Sequence, residues 1–238
     1  MQNNKSGEKY SGKNLPAGLT ILYEDRDILV INKPAGLLTI STAAEKSRTA
    51  YHLLTDYVKK GNPRSFARIF IVHRIDRDTS GVLVFARSEE AKRFLQEHWQ
   101  DFHKTYFAVV MGKLAEPEGE ISSYLCENSI FRVYSVKDPE KGKLARTGYK
   151  VLKEANGLSL LEVKLLTGRK HQIRVHLSEM GHPVAGDKVY GDKAIKGIKL
   201  ALHAASLTLI HPFSKKEMTF ETGLPFGLKS LVKQKQPG

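Results

Sequence analysis

Residues 69–72 and 82–86 are apolar runs that bracket a mostly polar stretch, His73-Arg74-Ile75-Asp76-Arg77-Asp78-Thr79-Ser80-Gly81. That pattern predicts two strands joined by a structured loop. Upstream, residues 20–23 and 28–32 are predicted strands around a turn at 24–27, and Lys33-Pro34-Ala35-Gly36 ends the second. A 3.6-residue period then appears over 47–60, where Ala50, Leu53, Leu54, Tyr57 and Val58 share one face, with Gly61, Asn62 and Pro63 as the stop. A second helix is predicted over 88–100, with Ser88 as N-cap, Glu89 and Glu90 at the positive end of its dipole, and Ala91, Phe94, Leu95 and His98 as its buried stripe.

Beyond it the period changes again. Residues 104–110 alternate as a strand, with Tyr106, Ala108 and Val110 on one face. Residues 116–142 form a charged excursion with short strands, and 147–154 and 158–166 form a hairpin around Ala155-Asn156-Gly157. The second arm runs through Thr167-Gly168-Arg169-Lys170-His171-Gln172 into a helix ending near Met180, with Gly181 just past it. Ile173, Leu177 and Met180 stack on one face of that helix, and Arg174 sits at the border of the face, able to lean over the core edge. A loop follows through Gly186-Asp187 and Tyr190-Gly191-Asp192, then strands at 200–210 and 217–222. Many strands and few helices give an α+β domain around a mixed, largely antiparallel sheet flanked by helices and loops.

With 238 residues, 41% hydrophobic and 26% charged, the chain has the composition of a soluble globular protein with a real core. It has no bilayer-length apolar run and no signal-peptide pattern, so a cytoplasmic location and no membrane partner are expected. The single cysteine, Cys126, excludes a disulfide framework and a multi-cysteine zinc site, and is expected as a small buried hydrophobe. The boundaries expected are a flexible basic arm at 1–18, one domain at 19–228 and a basic tail at 229–238. A net charge of +13 favours a polyanionic partner, and nucleic acid is the commonest in a cell.

The chemistry concentrates in the loop at 73–81. A carboxylate set among guanidinium groups, as Asp76 is between Arg74 and Arg77, is a competent nucleophile or ligand. Asp78, Thr79 and Ser80 can bond backbone amides, and Gly81 tolerates a tight backbone. The same residue types make ordinary turns and solvated ion pairs, and this segment alone does not separate the two.

The segments His73 to Gly81, Lys104-Thr105-Tyr106 with 109–112, Thr167-Gly168-Arg169 to His176, Gly186-Asp187 with Tyr190-Gly191, and Leu202-His203-Ala204 resemble RluA-type pseudouridine synthases. The opening Tyr23-Glu24-Asp25 and Lys33-Pro34-Ala35-Gly36 agree too. The matches fall in the family's order over roughly residues 20–225. The resemblance implies a single pseudouridine synthase catalytic domain that isomerises uridine in structured RNA, a tRNA or rRNA stem-loop, with no metal or organic cofactor. It implies Asp76 as nucleophile, and Tyr106 as the residue that packs on the base and is a candidate to take the C5 proton. It also implies Arg174 as partner of the aspartate, Arg74 as the residue filling the stack, and Leu202 as the apolar wall of the base pocket. Arg77, Arg169, Lys170 and His171 are expected to face RNA. The histidines at 73, 171, 176 and 203 are expected to be structural or RNA-facing rather than metal ligands. Many relatives carry an N-terminal S4-type RNA-binding module. The region before Leu19 is too short for one, so docking is expected to rest on the catalytic domain, acting as a monomer. A non-catalytic RNA-binding or ribosome-assembly protein on the same fold is the alternative. A glycoside hydrolase would need two separated carboxylates about a sugar cleft, and Asp76 and Asp78 are crowded by arginines.

Overall fold

The computed structural model describes residues 15, 18–62, 64–191 and 197–233. Most of the predicted arm, Pro63, Asp192 and the tail beyond Lys233 lie outside the described residues. The strands are β1 (Thr20–Glu24), β2 (Ile28–Lys33), β3 (Phe70–Ile71), β4 (Ser80–Ala86), β5 (His103–Met111), β6 (Glu118–Glu127), β7 (Val133–Val136), β8 (Lys143–Ala155), β9 (Leu158–Leu165), β10 (Leu202–Ile210) and β11 (Glu217–Glu221). The helices are α1 (Ala50–Val58), α2 (Glu89–Glu97), α3 (Gln172–Glu179) and α4 (Phe226–Leu231). The strands form one sheet in the order β1-β2-β4-β10-β5-β9-β8-β6-β7, with β11 on β10 and β3 on β4. All pairings are antiparallel except β4 with β10, so the expected mixed, largely antiparallel sheet is present.

The central strands are continuous apolar runs because both of their faces are covered. Leu29, Ile31, Leu83 and Phe85 pack toward α1 with Ala50, Leu54 and Val58. Ile28, Val30, Val82, Val84 and Ala86 pack on the opposite face with Ala91 and Leu95 of α2. The caps follow the sequence: Thr49 accepts from the His52 amide at the start of α1, and Ser88 from the Ala91 amide at the start of α2. His98 departs from its predicted place. It follows the last turn of α2 and is exposed, stacked on Phe94 at 4.3 Å between centroids. Cys126 departs too, being half-exposed on β6, because its neighbour Leu125 takes the inward position of the strand.

The excursion at 116–142 is the far end of the sheet, β6 and β7, paired onto the long strand β8. The predicted strand at 69–72 shrinks to the two residues of β3. At the C-terminus α4 crosses the expected boundary at 228, and Val232 is buried in the core beside β5 and β9. Among the described residues no helix is long and apolar enough to cross a membrane.

The two halves of the sheet meet where β4 pairs with β10, His203 opposite Ser80 and Ala204 opposite Gly81. The loop at 72–79 emerges beside this junction. A third core, of Val109, Leu161, Val163, Ile173, Leu177 and Leu200, fixes α3 against β5 and β9 on the other side of it.

Candidate active site

A cleft of about 280 Å³ opens between the 73–79 loop, β5 and the turn leading into α3. Backbone bonds on both sides of Asp76 hold that loop. Thr39 Oγ1 donates to Ile75 O at 2.9 Å, and the Gly36 amide donates to Arg77 O at 2.9 Å. Lys33 is fully buried and spends its ammonium on three carbonyls, Pro34 at 3.0 Å, Leu37 at 2.7 Å and Arg77 at 3.0 Å. Burial pushes the Lys33 ammonium down to about 8, against the opposing pull of Asp78 and Asp76. On the α3 side the fully buried Gln172 does similar work. Its Oε1 accepts from Thr167 Oγ1 and the Arg169 amide, and its Nε2 donates to Arg146 O and Thr147 Oγ1, pinning the turn to β8. His171 occupies the left-handed region at φ 53° as the turn enters the helix.

This scaffolding brings the distant segments together. Arg174 reaches across from α3, and its Nη1 donates to Asp76 Oδ2 at 2.8 Å. The rest of its fork closes on Asp187, Nε to Oδ2 at 2.7 Å and Nη2 to Oδ1 at 2.9 Å. Burial works against the Arg174 charge, but the Asp187 hydrogen bond and charge, then those of Asp76, outweigh it and hold the guanidinium well above its ordinary range. Tyr106 and Leu202 line the same cleft, from adjacent paired strands β5 and β10. Burial first and the Asp76 charge second push the Tyr106 phenol up, so it is protonated at neutral pH.

Of the residues expected to face RNA, Arg74, Arg169 and His171 line the cleft. His171 Nε2 stands 3.8 Å from Asp76 Oδ2, and burial, which Asp76 opposes, lowers its pKa. Arg77 and Lys170 do not line it. Arg77 is exposed on the loop, which its carbonyl anchors, and Lys170 pairs with Glu127 over a neighbouring groove. His73 is structural: its Nε2 accepts from the Val84 amide at 3.2 Å, and its ring lies 4.2 Å from that of Trp99. Burial, then the Lys104 charge, pushes it down to about 3.

Trp99 and Lys104 also line the cleft, and neither was singled out as a site residue from sequence. Lys104 was legible in principle, since it precedes Tyr106 by two and so shares its strand face. Trp99 lies just beyond α2 and carries no local signal. The one group of metal-ligand type among the described residues is Asp25, Asp27 and His211. Asp25 there already accepts from Tyr23 Oη, the Asp27 and Ile28 amides and His211 Nε2, as a satisfied turn does, and none of the three lines the cleft.

The family model described as RNA pseudouridylate synthase matches residues 27–179, a span that holds Asp76, Tyr106 and Arg174. The chain belongs to that family. It is an RNA pseudouridine synthase of the RluA type, an isomerase acting on RNA uridine, and the non-catalytic alternative is not favoured. The chain is 36% identical to the ribosomal large subunit pseudouridine synthase D of Zymomonas mobilis, over 90% of its own length and 72% of that protein. It is 37% identical to the protein of the same name from Nitrosomonas europaea, over 90% of its own length and 64% of that one. Among solved structures it resembles human RNA pseudouridylate synthase domain containing 4, with a TM-score of 0.73 and 26% identity over 88% of this chain and 90% of the other.

Proposed function

We propose that this cleft takes one uridine extruded from ribosomal RNA, in the cytoplasm and as a single copy of the chain, with Asp76 as the nucleophile. The observation that carries the reading is the 2.8 Å bond from Arg174 Nη1 to Asp76 Oδ2 at a cleft also lined by Tyr106 and Leu202. The ribosomal target rests on the relatives, which are named for the large ribosomal subunit. The reaction breaks the N1–C1′ bond, turns the base and forms the C5–C1′ bond. The C5 proton leaves and N1 gains one, so the change is redox-neutral and calls for no electron carrier.

Each residue then has a task. Asp76 bonds to the ring or the sugar, or assists elimination at the sugar, while Arg174 keeps its carboxylate aimed. Tyr106 packs on the base, and Leu202 forms the apolar wall that retains the detached uracil. Once it has given its own proton to N1, Tyr106 as phenolate is the candidate to take the C5 proton. In any route where Asp76 bonds to substrate its negative charge is consumed, which removes one of the two causes keeping Tyr106 protonated. Arg74, exposed at the mouth of the cleft, fills the stack left by the extruded base and offsets part of the few kcal/mol that unstacking costs. Arg169 and His171 face the RNA at the other wall. Arg77 and Lys170 serve the backbone further out.

Asp76→Asn tests the assignment. It keeps the side chain's shape and an acceptor for Arg174 while removing the nucleophile. Pseudouridine formation is expected to vanish, with RNA affinity held within about threefold. Turnover surviving in that variant removes Asp76 from the mechanism. Mapping pseudouridines in total RNA from cells with and without the gene tests the ribosomal target separately.

A further inference from the structure

We propose that Asp187 is a positioning residue for the isomerisation: it fixes the guanidinium of Arg174, and through it the carboxylate of Asp76. The inference rests on the reading of Asp76 as the nucleophile. Arg174 offers a planar fork with fixed donor directions. Two of its three nitrogens are committed to Asp187, at 2.7 and 2.9 Å, and the third alone reaches Asp76. With its long stem, an arginine held by Asp76 alone would pivot about a single bond. Held by two parallel bonds on one edge, it presents Nη1 along one line.

Asp187 is built to be that fixed point. Its side chain is wholly shielded from solvent, whereas that of Asp76 is 22% exposed to the cleft. The Val189 and Tyr190 amides donate to its Oδ1 at 2.9 and 3.1 Å, so the carboxylate is anchored to backbone as well as to Arg174. The loop around it is tight on both sides. Gly186 sits at φ +76°, where a Cβ would come within 2.5 Å of Lys199 O, and a Cβ on Gly191 would come within 2.6 Å of Asp187 O. The loop also supplies Tyr190, whose ring lies 5.1 Å from the Arg174 guanidinium carbon. The Tyr190 hydroxyl accepts from the Val133 amide and is 2.8 Å from His171 Nδ1. Donated to Nδ1, its proton fixes the His171 tautomer with N–H on Nε2, the nitrogen facing Asp76. One short loop thus sets the orientation of both cationic or donor groups that face the Asp76 carboxylate from α3.

The consequence is a loss in the chemical step rather than in RNA binding, since Asp187 is sealed away from the cleft. Asp187→Asn keeps the shape but gives the bidentate site one acceptor instead of two. The single-turnover rate is expected to fall about 10- to 100-fold, as a misplaced reacting group does, with RNA affinity within about threefold. A double-mutant cycle with Arg174→Lys separates positioning from general support of the fold. Asp187→Asn is expected to cost less than about threefold more once Arg174 is lysine, because the fork it orients is gone. An equal loss in both backgrounds overturns the proposal, as does an Asp187→Asn variant with wild-type rate. Should Asp187→Asn fail to fold, the wild-type protein still decides. The Arg174 Nε–H is expected as a slowly exchanging signal in nitrogen-edited NMR, and rapid exchange or averaging there overturns it. Activity surviving in Asp76→Asn would instead remove the reading of Asp76 and leave the Asp187 geometry without a catalytic target.

Discussion

Gly81 closes the loop that carries Asp76, and its position leaves no room for any side chain. Its φ of +115° is a region that L side chains rarely adopt, and an added Cβ would lie 2.1 Å from Ala204 O on the neighbouring strand. Gly81→Ala is therefore expected to lower unfolding free energy by about 3 kcal/mol or more, from overpacking and backbone strain together. Denaturant unfolding measures it, and a loss under 1 kcal/mol would mean that the β4–β10 contact is looser than the structure has it. Single residues were unevenly legible in the sequence. Asp76 and Tyr106 stood out because the resemblance weighted them, whereas Arg174, expected at the border of one helix face, is itself buried in a helix whose residues 172–177 are all buried. Asp187 was visible only as a matched letter, since nothing local ties a loop aspartate to an arginine thirteen positions earlier. Cys126 and His98 were misjudged for the same reason in reverse. Average burial preference says little about which face of one strand, or which side of a last helical turn, a residue takes.

Elements were legible where one face carried the signal. α1, α2, the β8–β9 hairpin and α3 lie within a few residues of their expected positions. Their order in the sheet was not legible, because pairing joins strands far apart in sequence: β4 lies beside β10, and β10 beside β5. That β4–β10 junction has its own chemistry. His203, 2% exposed, bonds Ser80 Oγ through Nδ1 and Thr222 Oγ1 through Nε2, both at 2.8 Å, so it bridges β4 to the end of β11. Burial pushes it down to about 4, from an ordinary 6.5. His73, which ties the loop to β4, is pushed down to about 3. Well above pH 6.5 both are neutral whether the chain is folded or not, and they leave stability independent of pH. As the pH falls from 6.5 toward 4, the unfolded chain binds protons that the fold refuses, so stability falls at up to about 1.4 kcal/mol per pH unit for each histidine. Unfolding midpoints taken at steps between pH 7 and 4 are expected to drop accordingly. In His203→Asn, which keeps a polar group at the junction, the slope is expected to be shallower. A variant as acid-sensitive as the wild type would place the titration elsewhere.

At the scale of the whole molecule, the charge of +13 becomes interpretable only once the cleft is located. From sequence it pointed to a polyanion and no further, since charge patterning does not say which cations share a surface. In the structure Arg74, Arg169 and His171 line the cleft itself, with Arg77 and Lys170 on the segments that form its rim. Binding is therefore expected to be driven by release of counterions from phosphates, with the small apolar interior acting on one nucleoside at a time. If Arg77, Arg169 and Lys170 each neutralise one phosphate of an unpaired strand, the logarithm of affinity falls with the logarithm of salt at a slope of about −2. Trp99 makes this measurable without a label. It is the chain's single tryptophan and lines the cleft, so its fluorescence reports occupancy directly. Titrating a short ribosomal stem-loop at several salt concentrations gives the slope. Arg77→Gln is expected to make it shallower by about 0.7, and Asp76→Asn to leave it unchanged. A flat salt profile in the wild-type protein would contradict phosphate-led docking on this face, whatever the fate of the uridine inside it.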